Sequence, residues 1–168
     1  MSKIGLFYSY KSQKTRKIAR SIAEILGEDK VEHIDAETVT PEDFVRFDRM
    51  ILGVPTWFDG ELPIYWDEFV PALKELDLTG KQFAIFGLGD QKAYPENFGD
   101  AVGIMADILE GRNGVVVGET SPGGYSFESS KALKNGKFIG LILDQENQPR
   151  LTESRISTWV AGLAKDFK

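Results

Sequence analysis

The sequence predicts an α/β fold: one parallel, doubly wound sheet with helices on both faces, in three layers. Short continuous apolar runs recur along the chain, as expected of strands buried on both sides. Between them lie stretches whose apolar residues fall at helical spacing. Strict alternation of the two favours parallel pairing with right-handed crossovers.

Ile4-Gly5-Leu6-Phe7-Tyr8 is the first strand, followed by a polar loop from Ser9 to Lys14. Ile18, Ala19, Ile22, Ala23, Ile25 and Leu26 mark a helix that stops at Gly27. Val31 to Ile34 is a short second strand. Thr40-Pro41-Glu42-Asp43 starts the next helix, with a cap, a proline at the first helical position and acids in the first turn. Strand three runs from about Arg49 to Val54, and its helix carries Trp66, Phe69, Val70, Leu73 and Leu76.

Strand four spans about Lys81 to Gly87, and Ala101, Ile104, Met105, Ile108 and Leu109 form the next helix, ending near Gly111. Val115-Val116-Val117 opens strand five. Its apolar continuation, Phe138 to Leu143, arrives only after a polar, Gly-rich passage from about Thr120 to Lys137. Ile156, Trp159, Val160, Leu163 and Phe167 belong to the last helix. The whole chain, 1–168, is expected to be one domain.

Composition narrows the function. With 42% hydrophobic and 27% charged residues, the chain has the make-up of a soluble protein. No apolar run is long enough for a bilayer and the N-terminus lacks a signal-peptide pattern, so a cytoplasmic protein is expected. Zero cysteines remove disulfides, thiolate nucleophiles and thiolate metal sites. The single His33 argues against a histidine metal cluster or a His-based triad, and is expected as a structural residue on a strand or its edge. A net charge of −6 disfavours nucleic acid and suits a basic partner.

In such sheets ligands bind at the carboxyl ends of the strands. Three loops there carry the chemistry. The first, Ser9-Tyr10-Lys11-Ser12-Gln13-Lys14-Thr15, opens a helix, and hydroxyls with free amides at a helix N-terminus suit a phosphate. Lys14, Arg16 and Lys17 sit in the first turn, where the helix dipole disfavours cations. The loop does not match the pattern of nucleotide hydrolases. The second, from Pro55 through Thr56, Trp57, Phe58 and Asp59 to Gly60, offers an indole for stacking. The third, Leu88 to Asn97, offers Gly89, Asp90, Tyr94 and Asn97. Two rings delivered by successive strands make a slot for a planar ligand.

At this point the chain resembles the flavodoxins of the long-chain type over nearly its whole length. The resemblance rests on Lys3 to Tyr8, Gly53-Val54-Pro55-Thr56-Trp57, Gly60-Glu61-Leu62, Phe86-Gly87-Leu88-Gly89-Asp90-Gln91, Gly124 to Phe127, Ser130 to Leu133 and Gly136 to Leu141. The Thr120 to Lys137 insertion within strand five is what separates long-chain from short-chain members. The resemblance implies a flavodoxin-like sheet in the order 2-1-3-4-5 and non-covalent FMN. Ser12 and Thr15 would donate to the phosphate, and Trp57 and Tyr94 would sandwich the isoalloxazine. Backbone groups around Pro55 to Gly60 and Leu88 to Asp90 would meet its polar edges. Asn97 is a further contact, and Asp144 or Glu146 would meet the ribose.

One departure stands out. The family's phosphate loop usually reads Thr/Ser-x-Thr-Gly-x-Thr. Here Tyr10 replaces a small hydroxyl residue and Gln13 a glycine, at a cost if that position needs positive φ. Lys11 and Lys14 would then compensate electrostatically, or Ser9 would take over as donor.

The resemblance implies a low-potential one-electron carrier that shuttles between semiquinone and hydroquinone. The peptide joining Phe58 and Asp59 would turn toward N5 on reduction. Neither residue is glycine, and Asp59 tolerates positive φ better than Phe58. Glu61, Asp67, Glu68, Asp90, Glu96 and Asp100 lie in or near the ring-side loops. One such charge about 8 Å from an anionic flavin at an effective dielectric near 20 costs ~2 kcal/mol, or ~90 mV. The carrier is expected as a monomer whose partners have basic docking faces: a flavodoxin/ferredoxin reductase, a 2-oxoacid oxidoreductase or a nitrogenase reductase.

Other readings have less behind them. An FMN-dependent NAD(P)H quinone or nitro reductase would want a dinucleotide fingerprint that the chain lacks. A phosphoacceptor receiver needs clustered acids after strand one, where Tyr8-Ser9-Tyr10 stands. A partner-binding module without flavin rests on Gln13 alone.

Overall fold

The computed structural model describes residues 2–168. Five strands form the body of a parallel sheet: β1 (Ile4–Tyr8), β2 (Val31–Asp35), β3 (Arg49–Gly53), β4 (Gln82–Leu88) and β5 (Val115–Val117). Their order is β2-β1-β3-β4-β5, as the resemblance implies. The helices are α1 (Gln13–Leu26), α2 (Pro41–Arg46), α3 (Ile64–Leu73), α4 (Asp100–Gly111) and α5 (Thr152–Asp166).

Successive residues of a strand point to opposite faces, and the two cores follow that alternation. Phe7, Leu52 and Ile85 face Phe44, Trp66, Phe69 and Met105 of α2, α3 and α4. Their neighbours Leu6, Ile51 and Phe86 face Ile18 and Ile22 of α1 and Ile156, Trp159 and Leu163 of α5. Burial of each such large side chain is worth ~2–3 kcal/mol. Local signals agree. Thr40 and Asp43 form the capping box that starts α2, with Pro41 in its first turn.

Strand five is split as the polar passage suggests. Two short strands, β6 (Leu133–Lys134) and β7 (Lys137–Phe138), make a separate antiparallel hairpin within the insertion. The chain then returns as β8 (Leu141–Leu143), which pairs with β4 beyond the reach of β5. Phe138 therefore belongs to the hairpin rather than to the sheet, which only Leu141 to Leu143 rejoin.

Candidate functional site

Because β1, β3 and β4 run parallel, their three following loops leave one edge of the sheet together. Val54 N–H to Phe86 O at 2.8 Å and Thr56 N–H to Leu88 O at 3.3 Å tie the second loop to the third.

In the first loop Ser12 occupies the N-cap of α1 but makes no side-chain cap bond, and the first turn holds no acid. Its hydroxyl instead donates to Thr15 Oγ1 at 3.0 Å. A helix start with uncapped amides and two hydroxyls is a donor set for an anion. Gln13 begins the helix without positive φ. The backbone there does not demand glycine, which removes the conformational cost expected of this departure. Tyr10 lays its ring on Tyr8, centroids 5.2 Å apart, and stays partly exposed.

The basic residues are arranged differently from expectation. Lys14 pairs with Glu146 of the loop after β8, so its charge is already offset. Ser9 is buried and donates to Glu37 Oε2 at 2.5 Å, while its oxygen accepts from Lys11 N–H at 3.3 Å. The Ser9 proton is thus committed to the Glu37 carboxylate, 28 residues away, which no local pattern announces.

The second loop closes on itself. Trp57 and Glu61 exchange two backbone bonds, 2.8 and 2.7 Å. Inside that ring Phe58 has φ 49° and Gly60 φ 88°, whereas Asp59 has no positive φ. The strained residue is therefore Phe58, not Asp59. Gly60 is also required sterically, since a Cβ would sit 2.6 Å from Asp100 Oδ2. Pro55 is buried, and Thr56 Oγ1 accepts from Ala101 N–H at the start of α4. Trp57 is half-buried and stands edge-on to Tyr65, centroids 5.8 Å apart. The Tyr65 hydroxyl is buried with no hydrogen-bond partner among the described residues. Burial first, then the Glu37 and Asp35 carboxylates, push its pKa up.

In the third loop Gly89 N–H is already spent on Leu143 O at 3.0 Å, so it is not free for a ring edge. Asp90 accepts from the Lys92 and Ala93 amides and from Asn147 Nδ2. The Ala93 amide, Asn147 and the Lys92 amide hold its pKa below the usual carboxylate range against partial burial. The turn presents Tyr94, 47% exposed, at its tip. Asn97 Nδ2 reaches Asp100 Oδ2 at 3.3 Å. Asp100 itself is buried and accepts from Lys131 N–H of the insertion. It is a brace rather than one of the ring-side surface acids.

Asp144 needs a similar correction. It is fully buried, and its carboxylate accepts from both Gln91 nitrogens, at 3.0 and 2.7 Å, and from Asn147. It fastens the third loop to the loop after β8 and presents no oxygen to a ribose. Gln91 stood in a quoted motif but drew no role, and Asn147 had no signal at all. Glu61, Asp67, Glu68 and Glu96 are exposed around the loops, as is Asp59. Among the described residues no group of three or more His, Cys, Asp or Glu is placed to hold a metal.

A flavodoxin family model matches residues 6–159, which is most of the chain. The chain belongs to the flavodoxin family. It is 46% identical to a flavodoxin of Synechocystis sp. over 162 residues, covering 96% of this chain and 95% of that one. Against flavodoxin 1 of Escherichia coli the identity is 40%, covering 99% and 96%. Among solved structures, Fusobacterium nucleatum flavodoxin bound to flavin mononucleotide superposes with a TM-score of 0.94. That pair is 38% identical with 100% of both chains covered. Oxidised flavodoxin 1 of Bacillus cereus gives 0.75 at 29% identity, covering 99% and 100%. In this flavodoxin chain the hairpin insertion lies within strand five, which fits the long-chain type.

Proposed function

We propose that the protein is a low-potential one-electron carrier that holds FMN non-covalently at the carboxyl edge of its sheet. The observation that carries this reading is Trp57 and Tyr94 on the loops of adjacent parallel strands, beside an uncapped, hydroxyl-bearing helix N-terminus. That donor set fits one dianionic phosphate and one flat ring.

The Ser12 and Thr15 hydroxyls and the unspent amides of Gln13 and Lys14 would hold the phosphate, with the Lys11 side chain adding charge. Trp57 and Tyr94 would stack on the ring, and backbone groups from Thr56 to Gly60 and at Leu88 and Asp90 would meet its edges. Asn97 and Asp144 would act from behind, by fixing the loops that carry those groups. Bound FMN supplies the one-electron chemistry. The Phe58 carbonyl would accept a hydrogen at N5 once the 58–59 peptide turns. A net hydrogen bond of about 1 kcal/mol suffices to bias the first electron step. The exposed acids oppose added negative charge, which lowers the potential of the second.

The same acids would steer the protein toward redox partners with basic docking faces, acting as a cytoplasmic monomer. Among the described residues no helix is long and apolar enough to cross a membrane. The experiment is FMN titration followed by flavin fluorescence. Trp57→Ala and Tyr94→Ala are each expected to weaken binding about tenfold or more, since one aromatic stack is worth ~1–3 kcal/mol. Unchanged affinity in both variants would refute the slot. Slow reduction by NADPH alone, made fast by an added reductase, separates a carrier from a quinone or nitro reductase.

A further inference from the structure

Beside the cofactor loops, but turned away from the slot, α1 and the edge strand β2 border a groove of about 800 Å³. Arg16, Lys17, Arg20, Ser21 and Glu24 line it from α1, Tyr8 and His33 from the strands, and Glu28 from the turn after α1, so three cations outnumber two carboxylates. It touches the phosphate loop only through Gln13; Ser12 and Thr15 are not part of it.

The cations in this groove are unusual for where they sit. The chain has 26 acids against 20 Lys and Arg. Yet Arg16, Lys17 and Arg20 form no salt bridge among the described residues, while Lys14, Arg46, Lys81, Lys134 and Lys137 all do. Positions 16 and 20 are four apart and 17 and 20 three apart, so like charges meet on one helix face. Arg16 and Lys17 also stand near the N-terminus of α1, where the dipole disfavours them. Lys17 and Arg20 lie one and two turns into the helix, too deep to serve the loop phosphate. Arg16 gains only a bond to Tyr10 O, and the Lys17 and Arg20 side chains have no hydrogen-bond partner among the described residues; like charges kept together in this way break a local rule, as functional surfaces do.

The wall opposite is fixed. Tyr8 Oη and His33 Nδ1 share a hydrogen bond of 2.8 Å, and His33 Nε2 meets Glu28 Oε2 at 2.9 Å. The Arg16 guanidinium is aimed by its bond to Tyr10 O at 3.3 Å. From Arg16 to Arg20 is about 6 Å along the axis, the span of two linked phosphates. Two guanidinium forks with an ammonium between them suit that geometry. The volume lies within the usual range for small-molecule sites.

We propose that this groove is a second anion site, built for a small molecule bearing a diphosphate. Its ligand is held by Arg16, Lys17 and Arg20, with Ser21 as a neutral donor and Tyr8 and His33 as the side wall. The site is separate from the cofactor loops, so both fill at once.

The test is an amide-shift NMR titration of the FMN-loaded protein at constant ionic strength, with ADP, inorganic pyrophosphate and adenosine as probes. Saturating shifts confined to about residues 16–21 and 28–33, from ADP or pyrophosphate but not adenosine, support the site. The tighter of those two names the source as nucleotide or inorganic. Lys17→Gln with Arg20→Gln should weaken binding at least about tenfold and leave the flavin absorbance unchanged, which also shows that the variant folds. Linear shifts equal to those from sulfate would mean a merely solvated basic face and overturn the proposal. So would equal binding by the double variant, or shifts centred on residues 9–15 with release of flavin. Flavin absorbance in the same tube keeps loss of the cofactor distinct from failure of the groove.

Discussion

Phe58 carries φ 49° with a bulky side chain, in a conformation that costs an L-residue ~1–2 kcal/mol. Turning the 58–59 peptide rotates ψ of Phe58 and φ of Asp59, so the two positions separate strain from switching. Phe58→Gly should remove existing strain and leave the first-electron potential near wild type. Asp59→Gly should ease the turned state and raise that potential. Spectroelectrochemistry on both variants decides this, and a lower or unchanged Asp59→Gly value counts against the turning peptide. The Tyr65 hydroxyl tests a different point. Since it is buried without a partner among the described residues, Tyr65→Phe should keep the edge-on contact with Trp57 and stabilise the fold by ~1 kcal/mol. Urea unfolding reads this, and a loss of that size would mean that the phenol has a partner. Asp90 has a pKa held below its unfolded value of about 4. Its contribution is therefore present above that pH and fades as pH falls through the lower, folded pKa. The stability gap between wild type and Asp90→Asn should shrink in that acid window; a gap that stays constant to lower pH would show that Asp90 does not titrate as described.

At the scale of elements, the periodicities at α1, α4 and α5 and the apolar runs of strands one, three, four and five were readable because each one is dictated by local burial, whereas the edge strand Val31–Asp35 is short and half polar. The split of strand five was readable too, since no strand pattern spans the polar passage. What stayed hidden depends on contacts distant in sequence. Nothing near Asp144 announces that Gln91, 53 residues away, will claim its carboxylate. Likewise nothing near Lys14 announces Glu146. The two rings of the slot could be found because each follows an apolar strand, whereas the braces behind them have no local signature. Ser9 and Asp100 were misjudged for the same reason, their partners being Glu37 and Lys131. The insertion is clamped where α4 has no side chain in the way: a Cβ on Gly103 would lie 2.2 Å from Lys131 O. Gly103→Ala should therefore push the hairpin off α4 and cost ~2 kcal/mol in thermal or urea unfolding. Wild-type stability would mean that the hairpin is not tightly seated.

Across the whole molecule, charge is unevenly distributed. Exposed acids gather around the second and third loops, while Arg16, Lys17 and Arg20, which form no salt bridge among the described residues, lie together on α1. A basic partner would meet the acidic end first, so its association rate should fall steeply between low salt and physiological ionic strength. Salt-independent association would argue that the acids serve solubility alone. Stepwise anaerobic reduction of the FMN-loaded protein, followed by absorbance, reaches the main conclusion most directly. Two separated one-electron steps are expected, with the spectrum of a one-electron-reduced flavin rising and then falling, and the second step strongly negative. A single two-electron step, or a protein that takes up no flavin, would rule out a one-electron FMN carrier.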